Sequence, residues 1–476
     1  MRYQILSVFA ALTASAACGD LTSINDNPNG PTDVQPPSML SNAIQTVVDR
    51  VDGPNNNVDI RGGGLWVQYY AEIQYRDEDK YIVRPGVDGE WGMYSGPLED
   101  FQRMINKGVA AGVPNWEAVG RIMKSYAFSV MTDAMGDIPY SEAFQERALL
   151  TPKYDTQQAI YTALFADLAK ASQQIDPAGI GFSSGDIMYG GDMTTWQKFA
   201  NSLRLRLAMH LTNVAPATAQ SEALAAVTAG VFASNDESAQ LMYLASAPNQ
   251  NPIYTNVHVD KRDDYGMSKT LVDSMRSWND PRLPIYAQPN DTGAYEGLPN
   301  GLNDGAGPEL KYISRFGTFW RETPAAPLAL LTYSEVLFLE AEAAERGWIT
   351  GNAAQLYADA IRASMEQYGI ATTAIDAYLA QPRVVYAGGA AGLTQIAYQK
   401  WVSLFMQGME GWTEVRRTGV PALVPGPNAK LTKIPERLPY SDNEAVLNKA
   451  NLDAAVAAQH FSSSTDLTTP LWFTGR

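Results

Sequence analysis

Several residue types and patterns are scarce in this sequence. Its 476 residues include one cysteine and three histidines. A single thiol cannot form a disulfide within the chain, and so few imidazoles argue against histidine metal sites and serine-histidine-aspartate triads. Basic residues number 35 against 51 acidic residues and form no long run, which argues against nucleic acid or anionic membrane surfaces as partners. After residue 18 the sequence lacks the run of about 20 apolar residues that a membrane-spanning helix needs.

The lone cysteine, Cys18, ends a pattern typical of secretory signals. Arg2 supplies a positive charge, residues 5–12 are mostly apolar, and small residues precede the cysteine. We interpret residues 1–17 as a lipoprotein signal peptide and Cys18 as the lipidated residue. The alternative is an ordinary signal peptide with an incidental cysteine, because Ser15 stands where bacterial lipoprotein signals carry a larger aliphatic residue.

Helical periodicity is the main structural signal in the mature chain. Residues 333–346 repeat apolar side chains at spacings of three and four, and Gly347 follows where a left-handed helix cap is expected. Asn352 can cap a second helix that ends before Gly369. The two predict a helical hairpin of about 35 residues, the length of a tetratricopeptide unit.

Further periodic segments extend this pattern along the chain. They predict helices over 117–134, 156–175, 195–211 and 218–229, and one long helix over 395–416. Length alone would allow two or three domains. We predict a mainly α fold of tetratricopeptide-like hairpins, with a single domain over 18–476 whose first part, 18–35, is a flexible lead-in.

Long segments rich in Gly, Pro, Asn and Asp separate the predicted helices. They cover 53–64, 244–266, 279–327 and 418–444. Loops of this length in a compact domain are usually functional or disordered. The aromatic residues in and beside 279–327 argue for order, since disordered segments are depleted in aromatics. These loops are therefore predicted to form an ordered, loop-rich face.

A series of motifs follows in order along the chain. They are INDNPNGPTDV at 24–34, LWVQYY at 65–70, TDAMGDIPYSEAF at 132–144, TPKYDTQQAIYTAL at 151–164, GDMTTWQKFANSLRLRLAM at 191–209, YSEVLFLEAEAAERG at 333–347, QKWVSLFMQGMEGWTEVRRTGVP at 399–421 and IPERLPY at 434–440. Together they resemble the SusD/RagB outer-membrane nutrient-binding lipoproteins, in particular the SusD-like group with the GDIPYSEA loop. The likeness covers nearly the whole mature chain.

The resemblance implies a function as well as a fold. It implies a lipid-anchored protein of the outer membrane, facing the cell exterior, that binds a nutrient such as an oligosaccharide and delivers it to a TonB-dependent SusC-like transporter. We predict no enzymatic activity, no cofactor and no metal among the ligands of the site, and the sequence leaves open whether a structural calcium is bound. Two alternatives stay open: a secreted all-helical glycoside hydrolase or lyase, and a protein-binding tetratricopeptide scaffold.

A glycan site needs aromatic platforms for the C–H faces of sugar rings and polar groups for their hydroxyls. The leading candidate platforms are Trp278, Tyr295, Tyr312 and Trp320, and the segment that follows the first helix adds Tyr75, Arg76, Asp77 and Trp91. For each ring the alternative is a packing role. That alternative is favoured for Trp91 with Tyr94, because W-x-x-Y opens a helix in the resembled family.

Several polar groups have a functional and a structural interpretation. Asp133, Asp137 and Glu142 could be the carboxylate pair of a glycosidase, but a helix stop with capping by Asp137 is the simpler interpretation. The oxygen-rich segment 25–33 suits calcium but lacks EF-hand spacing, so we interpret it as turns. His210 is expected as a favourable cation at a helix C-terminus.

Four arginines are expected to pair with the excess carboxylates. They are Arg204, Arg206, Arg416 and Arg417.

Overall fold

The computed structural model describes residues 34–52, 62–84, 91–145 and 148–476. Within them, Pro36–Arg476 form one compact unit. The predicted signal peptide, Cys18 and most of the predicted lead-in lie outside the described residues. A search of the described residues for a helix long and apolar enough to cross a membrane finds none.

The protein is mainly α, as the sequence predicts. Its longer helices are α1 (Pro36–Val51), α2 (Glu99–Ala111), α3 (Pro114–Met135), α4 (Gln157–Gln174), α5 (Met193–His210), α6 (Pro216–Ala229), α7 (Lys269–Ser277), α8 (Tyr333–Glu345), α9 (Ala353–Glu366), α10 (Thr372–Leu379), α11 (Gly389–Ser403), α12 (Gly408–Thr418) and α13 (Lys449–Ala458). Shorter helical turns include Gly63–Trp66, Glu78–Lys80, Trp91–Met93, Tyr94–Leu98, Leu283–Tyr286, Leu310–Tyr312 and Thr318–Arg321.

The predicted hairpin of α8 and α9 is confirmed at its helix ends. The Asn352 side chain accepts a hydrogen bond from the Ala354 amide at 3.0 Å, which caps the start of α9. Gly347 and Gly369 follow the two helices with φ of 72° and 70°, a region that favours glycine. The two helices pack on one another through a buried apolar cluster that includes Phe338.

Consecutive helices also pack in pairs earlier in the chain, from α2 with α3 to α5 with α6. Glycine permits the closest approach in the first pair. A Cβ on Gly108 would lie 2.6 Å from the Glu117 amide nitrogen, and one on Gly120 would lie 2.9 Å from Ile105 Cγ1. Small residues therefore set the spacing of the helices, as the hairpin interpretation expects.

The prediction of one helix over 395–416 is wrong. The chain forms α11 and α12 there, separated by Leu404–Gln407, and Met406 adopts a left-handed backbone with φ 72°. The reason is tertiary packing, because Phe405 stacks on Tyr286 with ring centroids 4.4 Å apart. Helical periodicity continues across the break, so the sequence pattern does not reveal it.

In the described part of the chain, four short strands tie the loops to the helical body. They are β1 (Tyr70–Glu72), β2 (Ala239–Leu241), β3 (Tyr265–Met267) and β4 (Leu328–Leu331). β1 pairs antiparallel with β3, with Tyr70 opposite Met267. β2 pairs antiparallel with β4, with Leu241 opposite Leu328. Each pair joins segments that are distant in sequence and so fixes where the loops lie.

A set of charged side chains is buried among α3, α5, α8, α11 and α12. We call it the ionic cluster: Asp133, Arg206, His210, Glu335, Glu342, Lys400, Glu410, Glu414 and Arg417. Arg206 pairs with Glu335 at 2.6 Å, and Arg417 pairs with Glu342 at 2.7 Å. The predicted pairing of these arginines is confirmed.

Arg204 also pairs as predicted, with Glu222 at 2.6 Å. The expectation for Arg416 is wrong, because its Nη1 donates to the carbonyl oxygens of Asp133 at 2.7 Å and Glu436 at 2.9 Å. Asp133 lies in the last turn of α3, where carbonyl groups have no partner within the helix. A buried guanidinium thus satisfies a helix end here.

His210 is the last residue of α5, as expected, but its setting differs from the simple helix-end cation. Its ring nitrogens contact Asp133 at 3.1 Å and Glu410 at 3.0 Å. Burial alone would lower its pKa, but the two carboxylates outweigh burial and raise the pKa to about 9. His210 is therefore a cation of the ionic cluster.

Candidate functional site

Short loop segments form a surface that we call the loop face: residues 62–84, 262–268, 288–317 and 424–430. The segments are joined by the β1–β3 pair and by hydrogen bonds between loops. The Met267 amide donates to the Ser314 carbonyl at 2.9 Å, and the Lys430 amide donates to the Lys80 carbonyl at 2.9 Å. The parts of the predicted loop segments that belong to this face are therefore ordered, and most of the predicted loop 53–64 lies outside the described residues.

Asn300 holds the centre of the loop face. Its Nδ2 donates to the Tyr70 carbonyl at 2.9 Å and to Asp79 Oδ1 at 2.6 Å, while Ser268 Oγ donates to its Oδ1 at 2.6 Å. One buried amide thus connects three segments of the loop face. Such satisfied polar networks give irregular backbone a single arrangement.

Two carboxyl groups are buried beneath the same loops. Burial, with Asp79 and Glu78 nearby, raises the pKa of Glu72 to about 10. Burial raises the pKa of Asp79 to about 7, although Asn300 and the Gly301 amide donate hydrogen bonds to it. Glu72 is therefore neutral at pH 7.

The first group of predicted site residues lies on this face. Tyr75 is 58% exposed, and the guanidinium carbon of Arg262 lies 5.9 Å from the centre of its ring. Arg76 is buried and donates to the carbonyl oxygens of Asn303 and Ala306, both at 2.7 Å. Arg76 therefore positions the 303–306 turn, which leaves it little capacity to contact a ligand.

Asp77, Tyr295 and Tyr312 belong to the same face. Asp77 is partly exposed and pairs with Lys80 at 3.2 Å. Tyr312 is 38% exposed, with Lys311 Nζ 4.9 Å from its ring centre. Tyr295 is half-buried, between residues whose backbone groups bond to Asn290 and Ser314. That these residues contact a ligand stays a prediction.

The other three predicted residues lie elsewhere. Trp278 is half-buried and stacks on Tyr398 of α11, with ring centroids 4.5 Å apart. The Trp91 indole donates to Glu444 Oε1 at 3.2 Å. Trp320 is 2% exposed and packs against Phe405. The surroundings of Trp91 and Trp320 favour the packing interpretation for those two rings.

A separate groove of about 520 Å³ opens between β2, β4, the end of α9 and the α11–α12 junction. Its aromatic walls are Phe319, Trp320, Tyr368 and Phe405, and its polar residues include Asn235, Asp236, Gln240, Glu366 and Gln407. Apart from Trp320, these residues were not predicted to form a site. The one sequence feature that could have pointed to these residues is the break between α11 and α12. Helical periodicity continues across this break, so the sequence pattern does not reveal it.

One metal-type group of side chains occurs in the described part of the chain. Ligand atoms of His210, Glu410 and Glu414 lie within 4.8 Å of one another. Lys400 Nζ lies 3.3 Å from Glu414 and Arg206 Nε lies 3.6 Å from Glu410. These cations already neutralise the carboxylates, so the group fits a salt-bridge network.

The carboxylates that could resemble a glycosidase pair are also engaged. Asp133 accepts from the Tyr161 hydroxyl at 2.6 Å. Asp137 Oδ1 accepts from the Gln157 amide at 2.8 Å, and burial raises the pKa of Asp137 to about 6. Glu142 accepts from the Lys153 amide at 2.9 Å. All three brace the loop between α3 and α4.

The fold and the loop face can be compared with those of known proteins. The family model described as "Starch-binding associating with outer membrane" matches residues 28–441. The chain therefore belongs to this SusD-like family, as the motifs predict. A comparison with curated proteins gave no match.

Solved structures agree with this assignment. A chitin-binding protein is 30% identical, with a TM-score of 0.81 over 93% of this chain and 100% of that chain. A chitin-binding SusD homolog from Flavobacterium johnsoniae is 26% identical, with a TM-score of 0.80 over 91% of this chain and 98% of that one. A SusD homolog from Bacteroides fragilis is also 26% identical, with a TM-score of 0.80 over 93% and 100%.

Proposed function

We propose that this protein binds a glycan on the loop face. The observation that carries the proposal is Tyr75, a ring 58% exposed on an ordered loop, with Arg262 beside it and Tyr312 on the same face. An exposed ring offers a stacking surface for a sugar, and guanidinium, carboxylate and amide groups nearby can bond to hydroxyls. The family description and the chitin-binding relatives support a glycan as the ligand.

The scaffold beneath Tyr75 supports this role. Arg76 and Asn300 are buried and bonded to neighbouring loops, so the backbone that carries the ring is held before a ligand arrives. Holding a site in place in advance reduces the ordering entropy that binding costs. A preformed face is what a binding protein needs when its ligand is soluble and flexible.

Isothermal titration with chito- and malto-oligosaccharides tests the proposal. Tyr75→Ala should weaken binding by about tenfold, or roughly 1.4 kcal/mol, because a stacking contact is lost. Trp348→Ala is the matched control, since Trp348 also carries an arginine over its ring, at 5.4 Å, but lies outside the loop face. Equal affinity of Tyr75→Ala and the wild type would contradict the loop face as the site.

The same titration mixtures distinguish a binder from an enzyme. We propose binding without turnover, because Asp133, Asp137 and Glu142 are each engaged in hydrogen bonds within the fold. Product analysis should recover the oligosaccharides intact. Shortened or unsaturated products would replace the proposal with the hydrolase or lyase alternative.

We also propose that the protein is anchored at the outer membrane through lipid on Cys18, faces the cell exterior and passes its ligand to a SusC-like TonB-dependent barrel. The family's outer-membrane association supports this proposal. Affinity purification of the full chain from native outer membranes should recover a large β-barrel partner. The Cys18→Ala chain should move to the soluble fraction, and its retention in the membrane would contradict the anchor.

A further inference from the structure

The groove between β2, β4 and the α11–α12 junction is rich in hydrogen-bond acceptors. Asp236 and Glu366 bring two carboxylates to it, and Gln240 and Gln407 bring amides. Among the described residues that line it there is no lysine, arginine or histidine. The groove therefore suits a ligand that donates hydrogen bonds and carries no negative charge.

Two buried side-chain oxygens in the groove lack a hydrogen-bond partner among the described residues. Within the described residues, no group donates to Gln407 Oε1 or to Asn235 Oδ1. Gln407 is 4% exposed, and Asn235 uses its Nδ2 to donate to the Ala363 carbonyl at 3.1 Å. Buried polar atoms are nearly always paired in folded proteins, so two unpaired acceptors in one groove call for a donor from outside.

The backbone at the groove floor is also unusual. Met406 lies in the left-handed region with φ 72° and directly precedes Gln407. Left-handed backbone is costly for a residue with a side chain, and such residues cluster at ligand sites. Here the conformation separates α11 from α12 and places Gln407 against the groove.

Apolar side chains line the same groove as these acceptors. They include the rings of Phe319, Tyr368 and Phe405 and the side chain of Met242, which is 55% exposed. A volume of about 520 Å³ lies within the range of small-molecule sites. A groove that combines aromatic rings with hydrogen-bond acceptors suits a sugar unit, which has an apolar C–H face and hydroxyl donors at its edge.

We propose that this groove is a second binding site, for a short neutral or amino saccharide. The hydroxyl, amide or amine groups of the saccharide donate hydrogen bonds to Gln407 Oε1 and Asn235 Oδ1, and the C–H face of the saccharide lies on the aromatic walls. The carboxylates of Asp236 and Glu366 disfavour acidic sugars. The choice of a saccharide rests on the proposed function, whereas the groove and its unpaired acceptors do not.

Titration of the full chain with chitobiose, glucosamine and digalacturonate tests the second site. Ala329 lies on β4 at the groove, opposite Gln240. Ala329→Phe should fill the groove and remove one binding event, while Ala329→Ser should keep it. Digalacturonate, which is acidic, should not bind at this site. Digalacturonate binding that Ala329→Phe abolishes would overturn the inference that the carboxylates of the groove disfavour acidic sugars.

Gln407→Met gives an independent readout. It preserves size but removes the unpaired oxygen, so groove binding should weaken at least tenfold while the melting temperature rises. A lower melting temperature would mean that the oxygen already has a stabilising partner, and would overturn the inference.

Tyr75→Ala separates the two sites. With both sites present, the wild type should show two chitobiose events, one lost in Tyr75→Ala and the other lost in Ala329→Phe. A single wild-type event that Tyr75→Ala abolishes and Ala329→Phe keeps would support the loop face and overturn the groove. A single event that Ala329→Phe abolishes and Tyr75→Ala keeps would support the groove and overturn the loop face. No event in the wild-type chain would overturn both.

Discussion

The ionic cluster and the loop face both bury carboxyl groups, and the pKa of Glu342 in the cluster shifts in the opposite direction to that of Glu72 in the loops. Burial alone would raise the pKa of Glu342, but Arg417 and Arg346 outweigh it and lower the pKa to about 2. In the loop face, burial and neighbouring carboxyl groups raise the pKa of Glu72 to about 10. The difference is direct pairing: Arg417 bonds to the Glu342 carboxylate, whereas Arg76, the buried cation of the loop face, donates to backbone carbonyls.

This contrast separates two ways of fixing a structure. In the helical body, ion pairs join side chains from different helices, so each charge is satisfied only when the helices are docked. In the loop face, the Asn300 amide joins segments through hydrogen bonds to the Tyr70 carbonyl and to Asp79. The stability of the helical body should therefore fall when a charged side chain of the ionic cluster is removed. The stability of the loop face should fall when an amide side chain such as that of Asn300 is removed.

The largest expected effect is the loss of a cation from the ionic cluster. Arg206→Met leaves Glu335, which is fully buried, without its bidentate partner. Breaking a buried ion pair by removing one partner costs about 3–5 kcal/mol. Chemical denaturation should show this loss, and Lys449→Met, which removes an exposed pair with Asp453, should cost less than about 1 kcal/mol. Similar losses in both variants would remove the distinction between buried and exposed pairs.

A smaller effect should appear in the pH dependence of stability. The folded pKa of His210, about 9, exceeds its ordinary value of 6.5, so the folded protein binds the proton more tightly. The stabilisation is complete below about pH 6.5 and is lost as the pH rises through 9, with an upper size on the order of 3 kcal/mol.

Denaturation curves from pH 6 to 10 for the wild type and for His210→Gln test this. The difference in unfolding free energy between the two should shrink as the pH rises. A difference that stays constant over the window would mean that folding does not raise the pKa of His210.

The smallest expected effect comes from the loop face. Glu72→Gln replaces a neutral acid with a neutral amide that can still accept from the Asp79 amide and can donate to neighbouring carboxyl groups. It should change the unfolding free energy by less than about 1 kcal/mol at pH 7, as isosteric changes that keep hydrogen bonds do. The matched change Glu342→Gln, in the ionic cluster, should cost about 3 kcal/mol. Equal costs would mean that Glu72 is ionised.

The sequence predicted the helical hairpins well because their signals are local. Asn352 caps α9 and Gly347 follows α8, and each was identified from residue type and position. The break at Met406 was not predicted, because Phe405 leaves the helix to stack on Tyr286, a residue more than a hundred positions away. Periodicity carries no information about such a partner.

The candidate site divides in the same way. Composition and motif order predicted which loops carry the site, and five of the eight predicted residues lie on the loop face. Trp278, Trp91 and Trp320 lie elsewhere, because the side of the molecule that a ring reaches depends on how its loop is tied down. The sequence named Arg76 but not its role, which its bonds to the 303–306 turn define.

The sequence by itself determined the family, the mainly α class, the hairpin ends and the scarcity of thiol and imidazole chemistry. These follow from residue identities and short spacings, which need no knowledge of distant contacts. The tertiary structure alone decided which rings stay exposed, which carboxyl groups carry charge, and that a groove lies at the α11–α12 break. Exposure, pKa and cavity shape depend on neighbours brought together by folding, and a linear pattern does not contain those neighbours.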